Sequence, residues 1–452
     1  MRHTEANAGP SSSTSATASD ADTAAFSQAC AEATCQSCGS VGLVPVIDLG
    51  DMPTSDGLIV QPHPTRSDAR HPLQVGFCPA CSLVQLLSTL SGKEMFGDGY
   101  LYYSSYSDEL LRHSRENALS LMEQKGLGPD SLVVEIASND GYLLRNFVDR
   151  GIPVLGIDPA PNQAKAANSS GVRTINDFFG SQLAAALAAK GERADVVIAN
   201  NVVAHVTDPN DLVRGFREIL KPDGIVVVEF PYVRDLIDHG EFDTIYHEHL
   251  CYFSVTSAKH LFERNGLYLQ DVRRLPIHGG SLRLQFALNG TPSQAVRDIL
   301  EQEAKIGLDK RDYFEQFGRR VAHFRTRARQ LLGTLKQDGK KVAAYGAAAK
   351  GTILLNYIGV NDGTIDYVVD RNPHKQGKFM PGVRLRIDEP SRLLNDSPDY
   401  VIILPWNFKD EIISQQAEYL RRGGKFIVPI PDLEIVEGSA AAPVAHLAGT
   451  VS

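Results

Sequence analysis

An α/β fold is predicted for this 452-residue chain, built as a small metal-binding module followed by two Rossmann-like domains. Three observations predict it. Two Cys-x-x-Cys pairs, Cys35/Cys38 and Cys78/Cys81, stand near the N-terminus. Short apolar runs alternate with helical segments from Ser131 onward, and the same alternation restarts at Lys341. The hydrophobic content of 43% is that of ordinary globular protein. A net charge of −9 argues against a nucleic-acid partner, which wants a basic surface. No apolar run approaches the roughly 20 residues of a membrane span, so no membrane partner is expected.

Residues 1–29 are rich in Ser, Thr and Ala without hydrophobic periodicity, and read as a disordered tail. Ser11 to Ser19 supplies neither the basic start nor the apolar core of a signal peptide. A cytoplasmic protein is expected.

Residues 30–95 form the first module. Each Cys-x-x-Cys turn can aim two thiolates at one point, and two such turns complete a tetrahedral Zn²⁺ site. The interval between them is long enough to need a small sheet, with strands at Ile47–Gly50 and Leu73–Phe77. Disulfides are the competing reading, which an acidic chain lacking a secretion signal disfavours. With Cys35, Cys38, Cys78 and Cys81 all ligating, no position is open to water, so the metal is expected to be structural. Cys30 and Cys251 are left as free thiols. Next come four tyrosines in seven residues, Tyr100 to Tyr106, suited to a hydroxyl-lined surface over a sugar or to aromatic packing between domains.

The second domain is placed at 96–275. Leu132–Ile136 reads as a buried parallel strand leading to the turn Ala137-Ser138-Asn139-Asp140-Gly141. Val154–Asp158 is a second strand ending in an acid, and Ala194–Asn201 and Gly224–Glu229 supply two more. Ligands of such a sheet sit at the carboxyl ends of its strands. Asp158 can accept hydrogen bonds from both hydroxyls of a ribose. The first turn has only Gly141 where a dinucleotide fold carries three glycines, which disfavours a pyrophosphate and with it a nicotinamide cofactor. A nucleoside without phosphate fits better, and S-adenosylmethionine is one. Glu135, Asn139 and Gly141 would face its amino-acid end, Asp177 and Phe178 its adenine, with Asn200 on the next strand end. His205 lies just past that strand, where active-site groups collect, although a lone histidine there also serves structure.

Within the same domain, Tyr246-His247-Glu248-His249 sets two imidazoles, a carboxylate and a phenol among apolar neighbours. An imidazole titrates near neutral pH and can take a proton from carbon. Two surface histidines beside a buried strand is the plainer alternative. A zinc-protease motif is excluded, because His-Glu-x-x-His spaces its ligands by one helical turn.

Residues 276–340 are assigned as a connector with helices, opening on His278-Gly279-Gly280, whose glycines would let backbone approach a ligand while Arg283 anchors an anion; a tight hairpin would look the same. Residues 341–440 form the second Rossmann-like domain, expected to bind a nucleotide sugar. Its small-residue turn Tyr345 to Gly351 opens a helix with Lys350 at the mouth, an arrangement suited to phosphate. A short tail, 441–452, ends the chain.

Taken in this order, the three parts resemble the sugar C-methyltransferases of antibiotic deoxysugar pathways. The matching stretches are the four cysteines, Val134 to Tyr142, Tyr246 to His249, His278 to Arg283 and Tyr345 to Gly351. The resemblance implies a class I methyltransferase Rossmann-like domain between a zinc module and a C-terminal domain that helps to hold thymidine diphosphate. It implies C-methylation of a dTDP-4-keto-6-deoxyhexose beside the ketone, C3 favoured over C5. His249 falls on the general-base position, with Tyr246, Glu248 and His205 around the sugar. The substrate-binding set expected is Tyr100, Tyr103, Asn201, His278, Gly279, Arg283, Lys350 and Asn356. Such a site needs a base and donors to the developing enolate oxygen, the latter expected from His205 or Tyr246. The rival readings are an O-methyltransferase on a nucleotide sugar and a non-catalytic zinc-ribbon adaptor. A monomer or weak homodimer is expected.

Overall fold

The computed structural model describes residues 20–63, 67–90, 103–360 and 363–438. The first module holds β1 (Val44–Met52), β2 (His71–Phe77) and β3 (Val84–Leu86), paired antiparallel in that order. The alternation of Leu73, Val75 and Phe77 turns one face of β2 inward, where Phe77 meets Phe314 at 4.7 Å between ring centroids.

The middle domain contributes β4 (Val133–Ile136), β5 (Val154–Ile157), β6 (Thr174–Ile175), β7 (Ala194–Asn200) and β8 (Leu220–Pro231), all parallel where they pair. A two-residue strand, β9 (Cys251–Tyr252), leaves this domain and pairs with β3 as the fourth strand of the first sheet. The hairpin β10 (Tyr268–Leu275) and β11 (Ser281–Ala287) then closes the large sheet, in order β10-β11-β8-β7-β4-β5-β6. The chain runs outward from β4 through β5 to β6, then restarts at β7, so the crevice of this sheet opens at the carboxyl ends of β4 and β7. Helix Pro209–Ile219 packs beneath it because Leu212, Val213, Phe216 and Ile219 share one face; Pro209 opens it and the Asp208 carboxylate accepts from the Asp211 amide at 2.8 Å.

The third sheet runs β14-β13-β12-β15-β16-β17, from β12 (Val342–Tyr345), β13 (Val368–Val369), β14 (Ile387–Asp388), β15 (Tyr400–Ile403), β16 (Lys425–Val428) and β17 (Glu434–Glu437). All its pairings are parallel except that of β17. Its own crevice lies between β12 and β15.

Two boundaries differ from those expected. Helix Asp20–Glu32 occupies the end of the expected tail, held by buried Phe26 and Cys30, so the folded chain starts before residue 30. Strand β11 lies inside the expected connector yet belongs to the middle sheet. The Gly279-Gly280 turn is a hairpin turn, and the alternation of Leu282, Leu284 and Phe286 is that of a strand.

Candidate functional site

The turn leaving β4 takes a shape that few sequences tolerate. Ala137, Asn139 and Gly141 all have positive φ, at 52°, 50° and 78°. A Cβ at position 141 would stand 2.9 Å from the Val172 side chain, which explains the glycine. Asp158 holds this turn. Its Oδ2 accepts from the Asn139 amide and its Oδ1 from the Ala160 amide, both at 2.8 Å. Asn139 Oδ1 in turn accepts from the Ser104 amide at 2.9 Å, which brings Tyr103 beside the crevice.

Around that turn, buried polar atoms lack partners among the described residues: Glu135 Oε2, Ser138 Oγ and Asp140 Oδ1 after β4, and Asn200 Oδ1 after β7. Such atoms cost free energy unless a ligand meets them. Burial, with Asp158 and Asp140 nearby, pushes the Glu135 carboxyl well above its usual range, and burial raises Asp158 too. A pocket of under-satisfied carboxyls suits a ligand with positive charge, and S-adenosylmethionine carries an ammonium and a sulfonium. Asp177 and Phe178 follow β6 at the same edge and are exposed.

The second set of residues gathers in the turn after Thr244. His249 Nδ1–H donates to the Thr244 carbonyl at 2.8 Å, which leaves Nε2 as the acceptor nitrogen; the Tyr246 hydroxyl donates to it at 2.8 Å. The Tyr246 and His249 rings lie 3.9 Å apart, and His205 stands edge-on to His249 at 4.8 Å. His205 Nδ1–H donates to the Glu248 carbonyl at 2.6 Å. Burial depresses His205 to about 4 against that hydrogen bond, so the ring is neutral and its Nε2 accepts rather than donates. Of the two enolate donors expected from sequence, this tautomer favours Tyr246 over His205. His247 points away, buried, with Nε2–H donating to the His71 carbonyl at 3.3 Å. Glu248 is buried as well, its carboxyl pushed up to about 7 by burial and by Asp56.

The expected substrate residues disperse. Tyr100 and the His278 side chain lie outside the described residues. Arg283 is committed to Glu229, which also accepts from His113 Nε2 at 2.7 Å; although burial works the other way, these two partners hold Glu229 below its usual range. Gly279 packs on the chain's own acid, since a Cβ there would come 2.7 Å from Glu241 Oε1. Asn356 donates to the Thr352 and Pro381 carbonyls and accepts from Arg70, so it ties the fold together. Asn201 sits at φ 56°, its amide donating to the Glu229 carbonyl at 2.7 Å. Lys350 spans the third sheet's crevice, donating to Asn407 Oδ1 at 2.9 Å and lying 4.3 Å from the centre of the Trp406 ring. Trp406 Nε1–H donates to Asp243 Oδ2 at 2.8 Å across the domain boundary. Burial lowers the Lys350 ammonium, while Asp243 and Glu241 favour its charge. Sequence reasoning passed over Ser55, which donates to Glu248 Oε2 at 2.8 Å, and the His113–Glu229 pair.

In the first module the four sulfurs converge, all within 4.8 Å of one another, with Cys35–Cys81 at 3.5 Å and Cys38–Cys78 at 3.6 Å. Thiolates at the corners of a zinc tetrahedron stand about 3.8 Å apart for Zn–S of about 2.3 Å, so the donor set fits Zn²⁺.

Three family models match in succession: a zinc binding domain over residues 35–96, a methyltransferase domain over 103–272, and a C-methyltransferase C-terminal domain over 276–431. The chain is 34% identical to the C-methyltransferase NovU of Streptomyces niveus over 410 residues, 90% of this chain and 97% of that protein. It is 36% identical over 125 residues to a ubiquinone biosynthesis O-methyltransferase of Azorhizobium caulinodans, covering 27% of this chain and 47% of that one. Among solved structures, magnesium protoporphyrin IX methyltransferase from Synechocystis, with bound S-adenosylmethionine, aligns over 44% of this chain and 89% of its own at 14% identity and a TM-score of 0.32. The methyl donor of this enzyme is S-adenosylmethionine, and its four-cysteine centre is a structural zinc site. The chain belongs to the S-adenosylmethionine-dependent C-methyltransferases built from a zinc-binding module, a methyltransferase domain and a C-methyltransferase C-terminal domain.

Proposed function

We propose that the enzyme methylates carbon in a nucleotide-linked 4-keto-6-deoxyhexose, a dTDP-sugar, at the position beside the ketone, with C3 favoured. The observation that carries this reading is the Tyr246–His249 pair, an acceptor nitrogen and a phenolic donor side by side in a largely buried turn. A proton on carbon beside a ketone leaves only if its electron pair can pass to the carbonyl oxygen. His249 Nε2 takes the proton; the Tyr246 hydroxyl, displaced from that nitrogen by the substrate, donates to the oxygen. His205 and Glu248 meet sugar hydroxyls, His205 as acceptor and Glu248 as donor or acceptor. S-adenosylmethionine supplies the electrophilic methyl for the resulting nucleophilic carbon. Glu135, Asn139, Gly141, Asp158 and Asn200 hold its amino-acid and ribose portions, with Asp177 and Phe178 at the adenine. Tyr103 and Asn201 border the sugar, and Lys350 at the mouth of its helix serves the nucleotide end.

The printed name of the Streptomyces niveus relative supports transfer to carbon. Incubation with methyl-labelled S-adenosylmethionine and a panel of dTDP-4-ketosugars tests the reading. A product whose NMR spectrum shows the label on C3 is expected; label on C5 moves the position, and label on oxygen overturns carbon transfer.

A further inference from the structure

The stretch between β1 and β2 belongs to the zinc module in sequence, but its contacts run elsewhere. Ser55 is buried. Its hydroxyl donates to Glu248 Oε2 at 2.8 Å, and its carbonyl oxygen accepts from Thr352 Oγ1 at 2.9 Å. Thr352 sits in the first turn of helix Ala349–Ile358. One residue of the first module therefore touches both the turn that carries His249 and the C-terminal domain.

Its surroundings hold it there. Ile59 and Phe379 exchange backbone hydrogen bonds of 3.0 and 2.8 Å. Asp68 accepts from the Gly382 amide at 2.7 Å and pairs with Arg384 at 2.8 Å, and Arg70 donates to Asn356 at 2.9 Å. These links, at positions 59, 68 and 70, fasten the stretch that follows Ser55 to the C-terminal domain. The terminal torsion of a glutamate is broad and two-fold, so a carboxyl without fixed partners samples many orientations. A donor on Oε2 removes that freedom.

We propose that Ser55 is a positioning residue for methyl transfer: its hydroxyl orients the Glu248 carboxyl toward the sugar, and Thr352 of the C-terminal domain sets where that hydroxyl stands. The zinc module thereby supplies a wall of the substrate site as well as a metal centre. This rests on the reading that places Glu248 at the sugar.

The test compares wild type with S55A, T352V, T352S and the double variant S55A/T352V, using labelled S-adenosylmethionine and the accepted ketosugar. S55A should lower kcat/KM for the ketosugar about tenfold, the order expected for losing one hydrogen bond, while its Kd for S-adenosylmethionine by calorimetry stays unchanged. T352V should fall in the same direction, and T352S, which keeps the hydroxyl, should match wild type. Because Thr352 acts through Ser55, adding T352V to S55A should cost nothing further. Wild-type turnover by S55A, or an undiminished T352V effect in the S55A background, overturns the proposal. If S55A does not fold, T352V against T352S decides alone, and equal turnover overturns it. A wild-type enzyme that methylates no ketosugar would instead sink the proposed function.

Discussion

The Tyr246 hydroxyl donates to His249 Nε2, and the opposite ring nitrogen is committed to the Thr244 carbonyl. The tautomer is set by the backbone, so the basic nitrogen and the acid that covers it are fixed together. Tyr246→Phe should keep the ring in place through Thr244 and retain slowed exchange of the ketosugar proton in D₂O. His249→Ala should lose exchange by roughly 10²- to 10⁴-fold, the usual contribution of a general base, with both ligands still bound. His247→Ala, whose ring faces His71, should exchange measurably. Exchange at the wild-type rate in His249→Ala would place the base elsewhere.

Cofactor binding should release protons. Burial raises Glu135 and Asp158, and a cationic ligand favours their ionised forms. Titrations at one pH in buffers of different ionisation enthalpy measure the release, and Glu135→Gln should reduce it. An unchanged release would remove Glu135 from the cofactor site.

Asp158→Ala should weaken S-adenosylmethionine by about 100-fold or more, since it removes two ribose hydrogen bonds, and those to a charged acceptor contribute roughly 1.5 to 3 kcal/mol each. Part of that loss would be indirect, because the carboxylate also holds the Asn139 amide. Affinity equal to wild type by calorimetry would exclude this strand end as the ribose site.

Stability near the domain boundary should fall as pH rises. Burial pushes Glu241 up to about 8, helped by Asp243 and Asp235 and opposed by Lys350. The folded state then binds the proton more tightly than the unfolded one, whose glutamate titrates at about 4.3. The contribution is complete below that value and is lost as pH rises through about 8. Urea midpoints between pH 5 and 8.5 should decline less steeply in Glu241→Gln than in wild type; parallel slopes would refute the assignment.

Cys38→Ser should lose bound zinc and lower Tm by about 6 °C or more, equivalent to ~2–3 kcal/mol in a domain of this size. Metal content by mass spectrometry together with a thermal scan checks both. Full zinc occupancy at an unchanged Tm would show that Cys38 is not a ligand.

What could be read from sequence was local. The four cysteines come as two close pairs, the Asp158 strand end is a short motif, and Tyr246 reaches His249 within one turn. The Ser55–Glu248 hydrogen bond joins positions 193 residues apart and Ser55–Thr352 joins positions 297 apart, separations at which no spacing rule speaks. The surroundings of Lys350 are hidden for a related reason: a lysine opening a helix is legible as a local motif, but the Asn407 and Trp406 contacts come to it from the next crossover. The tautomer of His205 depends on the Glu248 carbonyl, a partner that only the folded turn supplies.

The pairing of β3 with β9 also bears on how the chain is made. Val84 and Gln85 find their partners in Tyr252 and Cys251, and the Leu86 amide donates to the Leu250 carbonyl at 2.9 Å. At 5–20 residues per second, the interval from Cys81 to Cys251 takes roughly 10 to 30 s to translate. During that time the knuckles exist without the strand that completes their sheet. The nascent module thus shows an open β-edge until the methyltransferase domain has largely emerged, and early zinc capture would hold its thiolates together while it waits.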